Sequence, residues 1–186
     1  MDQGFGGDNL IEKYKFTDSE AKSIVDSMVI LIDTREKKNQ HITDYYDKHG
    51  IKYENRALSS GDYSFYIGEN PELSIPRPLY MDNEIIIERK ASLDELSGNF
   101  TTGRTRFEEE FATSSAKKKY LLIENATYAD IIDGNYNTKY NKNSFAATLH
   151  SFNHKYNLEI MFIPNNNYTP IYIYGVFKYY LKSILK

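Results

Sequence analysis

Apolar residues recur along this chain in two rhythms. Short unbroken runs such as MVILI from Met28, III from Ile85 and YLLI from Tyr120 have strand length and no polar alternation. That pattern suits strands covered on both faces. Helical spacing occupies the segments between them. Thr17 and Glu20 stand at capping-box spacing ahead of a helix carrying Ile24 and Met28. A second helix is expected from Gln40 to His49, stopped by Gly50.

IKYENRAL and DYSFYI read as strands around the turn signal SSG. The following stretch, 68–83, holds three of the five prolines and reads as a loop or ragged hairpin. A short helix is predicted from about Leu93, then a polar break SGNFTTG, then a helix over 104–118 with Phe107 and Phe111 four apart. Helices around YADIID and SFAATLHSFNHKY precede the last strand pattern, LEIMFI, and a final helix opens at Pro170. Ile173, Phe177, Tyr180 and Ile184 stripe that last helix, either to close the core or to meet a second copy. There is no internal repeat. The expectation is one α/β domain over 16–186 behind a flexible N-terminus at 1–15.

Composition narrows the classes. The chain has 186 residues, 40% of them hydrophobic and 26% charged, which suits an ordinary globular domain. No apolar run reaches the length of a membrane span or a secretory leader, so a cytoplasmic protein without membrane attachment is the default. Without cysteine there is no disulfide framework and no thiolate zinc site. A net charge of −3 argues against bulk attraction to polyanions, so any nucleic-acid contact must be local or assisted by metal ions.

Candidate chemistry gathers where predicted strands end. IDTRE at 32–36, GDY at 61–63, ERK at 88–90 and Glu124 in LLIEN all put charge directly beside buried runs. Strand ends are where distant segments converge on one crevice. Two or three carboxylates there suit a hard divalent cation such as Mg²⁺. Side chains alternate along a strand, so Glu88 and Lys90 point together and Arg89 points away. A metal with an adjacent lysine suits phosphodiester hydrolysis. By itself the Glu-x-Lys pattern is common and also fits a solvated pair.

The order of the motifs is more specific. ILIDTRE, LSSGDY and IIIERKASLDEL resemble the signature of the XPF-type structure-selective endonucleases, within the restriction-endonuclease-like superfamily. The family pattern of Gly-Asp, a spacer, Glu-Arg-Lys, three residues and Asp is matched by Gly61, Asp62, Glu88, Arg89, Lys90 and Asp94. Its earlier Asp-x-Arg-Glu is matched by Asp33, Arg35 and Glu36, and its later Gly-Arg by Gly103 and Arg104.

The resemblance implies a central mixed β-sheet flanked by helices and Mg²⁺- or Mn²⁺-dependent DNA cleavage with no small-molecule cofactor. It implies metal binding by Asp62 and Glu88 with Asp33 as a further ligand or support, and Lys90 as the catalytic lysine. Arg35, Glu36, Arg89, Asp94 and Arg104 would brace the site or touch DNA, with Arg89 reaching a carboxylate such as Asp94. Branched, flap or junction DNA is the implied substrate, and a homodimer the implied assembly. No helix-hairpin-helix domain is recognisable. A catalytically silent DNA-binding domain and a sequence-specific restriction-like nuclease are the alternatives.

Weaker signals have bland explanations. His150 and His154 have chelating spacing but no third ligand, so packing is expected. AKKK at 116–119 suits the end of a helix. Arg106 ranks below Arg104 as a phosphate contact, Glu108 to Glu110 suit a solvated face, and Phe100 is expected to pack or to stack on a base.

Overall fold

The computed structural model describes residue 11 and residues 14–185. The flexible N-terminus expected at 1–15 therefore falls largely outside the described residues, although Ile11 is buried. Among the described residues no helix is long and apolar enough to cross a membrane.

Seven strands form one mixed sheet: β1 (Met28–Ile32), β2 (Tyr53–Asn55), β3 (Tyr63–Ile67), β4 (Leu79–Tyr80), β5 (Ile85–Lys90), β6 (Lys118–Glu124) and β7 (Leu158–Ile163). Their order is β2-β1-β3-β5-β6-β7, with β4 paired to β3. β3 runs antiparallel to β1, β4 and β5, while β2–β1 and β5–β6–β7 are parallel. The C-terminal ends of β1, β5 and β6 and the start of β3 thus share one edge, which is where the charged motifs lie.

The unbroken apolar runs are explained by helices on both faces. On one face α1 (Asp18–Asp26), α2 (Gln40–His49) and α7 (Thr169–Ile184) bury Ile24, Ile42, Tyr46, Ile173 and Phe177 against Ile30, Phe65, Ile87 and Leu122. On the other, α3 (Leu93–Phe100), α4 (Arg104–Ala112), α5 (Tyr128–Asp133) and α6 (Lys142–Tyr156) pack Phe100, Phe107, Phe145 and Phe152 on Leu121 and Ile123. Strand alternation on β6 sends Leu122 one way and its neighbours the other. The Thr17–Glu20 capping box forms, and Gly50 ends α2 in the left-handed conformation with φ 65°.

Two expectations change and one alternative is decided. The polar break at SGNFTTG is shorter than predicted: α3 continues to Phe100, whose ring meets Phe152 at 4.8 Å and is buried rather than open to a base. Helix α4 stops at Ala112 instead of 118, because Lys118 donates its N–H to Glu84 O (2.8 Å) and begins β6. The lysines of AKKK therefore lie largely in a strand, yet Lys119 Nζ still reaches Phe111 O in the last turn of α4 (3.2 Å). Finally, Ile173 and Phe177 are fully buried, with Phe177 5.3 Å from Phe65. Those two side chains close the core and are not available to a second copy.

Burial on this scale fixes an expectation. Phe177→Ala should cost about 3–5 kcal/mol of stability, while Tyr179→Ala, at a position 68% exposed, should stay within about 0.5 kcal/mol. Urea denaturation of the two variants checks the contrast.

Candidate active site

Gly61 and Asp62 knit three strands together ahead of β3. The Asp62 N–H donates to Ile87 O (2.9 Å), and its carbonyl accepts from Asp33 N (2.8 Å). Its carboxylate Oδ2 accepts the Arg89 N–H (2.8 Å). Gly61 has φ 72°, and a Cβ there would lie 2.9 Å from Ile86 Cβ. Only glycine fits both that conformation and that approach. The dipeptide is therefore a structural unit that fixes where the Asp62 carboxylate stands.

Alternation along β5 divides the Glu-Arg-Lys motif between the two sheet faces. Glu88 and Lys90 open into a crevice of about 500 Å³ that Asp62, Glu95, Phe107 and Glu110 also line. Lys90 Nζ donates to Glu88 Oε1 (2.6 Å) and lies 4.8 Å from the Phe107 ring centroid. Burial pushes the Asp62 carboxyl well above the usual carboxylate range, and the Glu88 charge pushes it further. Burial likewise raises Glu88, with the Lys90 ammonium opposing it. For Lys90, burial acts to lower the pKa, but Glu88 outweighs it and favours the ammonium form.

Arg89 goes to the opposite face, where it is 3% exposed. Its guanidinium binds Glu124 Oε2 (2.6 Å), Glu36 Oε1 (2.8 Å) and Lys38 O (3.0 Å). Glu124 also meets His41 Nε2 at 2.8 Å. The brace expected between Arg89 and Asp94 is absent, because Asp94 sits beyond the strand and accepts the N–H and the side-chain amide of Asn137 (2.8 and 2.9 Å). Asp94 thus ties α3 to the segment before α6.

Asp33 does not line the crevice. Its Oδ1 accepts the backbone N–H and Nε of Arg35 (both 2.7 Å), and its Oδ2 accepts Leu58 N (2.7 Å). Burial raises its pKa, but the Arg35 side chain and the Leu58 and Arg35 N–H groups outweigh this and hold it below the usual range. With donors on both oxygens, Asp33 supports the loop before Gly61 and has little free acceptor capacity for a metal.

The two arginines at the head of α4 lie in different places. Arg104 pairs with Glu108 (2.8 Å) outside the crevice, whereas Arg106 lines it, 79% exposed and paired with Glu110 at 3.5 Å. Position along a helix decides this, since residues two apart face different directions. His150 meets the Tyr128 hydroxyl (2.9 Å). His41 carries no periodic or motif signal and is found only through the fold, and the partner of Glu124 was likewise hidden until β5 and β6 paired.

Arg89→Ala should leave Glu36 and Glu124 facing each other without their cation. Breaking a buried pair from one side typically costs about 3–5 kcal/mol. Chemical denaturation at neutral pH measures this; a loss below about 1 kcal/mol would show that the three-way brace contributes little.

The ERCC4 domain model matches residues 32–176. Among solved structures, XPF from Aeropyrum pernix superposes with TM-score 0.57 at 16% identity over 82% of this chain and 61% of that one. XPF from Aeropyrum pernix in complex with DNA superposes with TM-score 0.58 at 16% identity over 83% of this chain and 66% of that one. This chain therefore spans less than two thirds of the length of either relative. No curated protein matches it significantly in sequence. With the family model covering most of its length, the chain belongs to the ERCC4 domain family, and it shares the mixed α/β fold of XPF from Aeropyrum pernix.

Proposed function

We propose that this chain is a divalent-metal-dependent DNA endonuclease, acting on branched, flap or junction DNA. The observation that carries the reading is the placement of Asp62, Glu88 and Lys90 in one crevice at the sheet edge. The family match supports nuclease chemistry, and the DNA-bound Aeropyrum pernix XPF of the same fold supports DNA as the ligand.

The residues fit Mg²⁺ or Mn²⁺. Asp62 Oδ1 and Glu88 Oε2 accept no hydrogen bond among the described residues, while their sister oxygens are engaged by Arg89 N and Lys90 Nζ. Two buried carboxylates that repel one another gain by sharing a cation. Mg²⁺ keeps several waters and also takes substrate phosphate oxygens, so a site supplied by two carboxylates can hold it; no cluster of three or more such ligands occurs among the described residues. The bound cation supplies Lewis acidity toward the phosphate and a nucleophile at neutral pH.

The chain's own residues do the rest. Asp62 and Glu88 hold the cation. Lys90, favoured as an ammonium, acts as a positive charge beside the scissile phosphate rather than as a base. Arg106, exposed at the crevice mouth, binds a neighbouring phosphate. Arg89 and Asp33 position the carboxylates from behind, and the Gly61 backbone lets Asp62 approach β5 closely.

Cleavage assays on labelled flap, fork, junction, duplex and single-stranded DNA with Mg²⁺, Mn²⁺ or EDTA test the reading. Asp62→Ala and Glu88→Ala should each abolish cleavage and weaken Mn²⁺ binding in calorimetry. Lys90→Ala should slow single-turnover cleavage roughly a hundredfold with metal affinity little changed. Full cleavage by either carboxylate variant would remove it from the site; a folded wild type that binds DNA but never cuts would favour the silent-domain alternative.

Stability offers a test independent of turnover. Asp62 holds its proton above the ordinary carboxylate range in the folded chain, so folding loses stability as pH rises between its unfolded and folded values. In EDTA, Asp62→Asn should therefore melt a few degrees above wild type at pH 8, and the gain should shrink toward acid pH. A constant difference across that range would contradict the cause assigned to the shift.

A further inference from the structure

The proline-rich stretch 68–83 has a structure that the crevice does not explain. Asn70 and Ile75 exchange backbone hydrogen bonds (2.6 and 2.9 Å), and Ile75 and Met81 are buried. The segment ends in β4, where Tyr80 pairs with Tyr66 of β3. Their ring centroids are 5.2 Å apart. The Arg56 guanidinium lies over the Tyr80 ring, 4.0 Å from its centroid. Arg56 is exposed and pairs with no carboxylate among the described residues, and Tyr80 is 38% exposed. A hydroxyl-to-carboxylate bond from Tyr66 to Glu54 (3.3 Å) steadies the lower ring.

Strand register places this stack. Tyr66 pairs with Val29 and Tyr80, and Tyr63 pairs with Ile87. Side chains alternate, so Tyr66 and Tyr80 share the sheet face of Glu88 and Lys90, opposite to Tyr63 and Arg89. Tyr66 stands four residues along β3 from Asp62, roughly 13 Å. The chain from Arg56 leads directly to Ser59, Ser60 and Asp62, which line the crevice.

We propose that Arg56 and Tyr80 form a stacking platform for single-stranded nucleic acid leaving the crevice. A planar guanidinium resting on an aromatic ring has an open face onto which a base can stack, and its charge attracts phosphate. Duplex DNA offers no unstacked base to such a surface, so the platform selects a single-stranded arm over a paired one. The choice of ligand rests on the reading of the crevice as a nuclease site; the platform itself needs neither metal nor turnover.

Fluorescence anisotropy in EDTA, with a labelled oligothymidine and a blunt duplex of equal length, tests it. Arg56→Ala and Tyr80→Ala should each weaken oligothymidine binding about tenfold, the low end for one stacked base, with duplex binding changed less than about twofold. Arg56→Lys, which keeps the charge and loses the plane, should restore only part of the affinity. Both residues are exposed, so thermal melts should match wild type. Full rescue by lysine, equal losses on duplex, or no oligothymidine binding by wild type would each overturn the platform. A wild-type chain that binds the strand through Arg56 yet never cleaves with Mg²⁺ or Mn²⁺ would sink the nuclease reading and leave the platform standing.

Discussion

A single buried guanidinium organises the functional edge of this protein. Arg89 joins Glu36 after β1, Glu124 at the end of β6 and the Lys38 carbonyl ahead of α2. An arginine in a buried position is tolerable only when its charge and most of its donors are met. Here meeting them forces three separate chain segments into one geometry. Among the described residues its Nε has no partner, and neither has the nearby Tyr63 hydroxyl, so the brace is strong but not fully saturated. The same residue's backbone N–H holds Asp62. One amino acid thus anchors the structural face with its side chain and orients a crevice carboxylate with its main chain.

This division explains why the Glu-Arg-Lys motif is contiguous. A strand is the one local structure that sends consecutive residues to opposite sides. The outer two can therefore meet on the crevice side of the sheet while the middle one is buried among carboxylates on the other. Moving any member by one position would exchange the two roles. Gly61 adds the other requirement, a backbone close enough to Ile86 that no side chain fits between them.

Much of this was legible from sequence. The unbroken apolar runs announced strands covered on both sides, and alternation along β5 put Glu88 and Lys90 together with Arg89 opposed. Helices α1, α2 and α7 carried clear caps, stops or a proline start. What remained hidden depends on contacts between distant segments. Nothing local says that Asp33 spends both oxygens on Arg35 and Leu58, that Asp94 reaches Asn137, or that Arg106 rather than Arg104 faces the crevice. His41 had no signal at all, because its value lies in a carboxylate 83 residues away. The apolar stripe of the last helix was real, but a stripe by itself does not say whether it meets its own sheet or another molecule.

The position of α7 has a consequence for how the chain is made. It supplies Ile173, Phe177 and Leu181 to a core whose other walls come from α1, α2 and β1 through β6. During synthesis the sheet face around Phe65 and Ile87 therefore lacks part of its cover until α7 has been translated and docked. Contacts of such long sequence separation form slowly, and exposed apolar surface invites association with other chains in the interval. Termination after Glu124 and before Pro170 would leave a product that keeps every crevice residue in its sequence and lacks the helix that seals the face behind them.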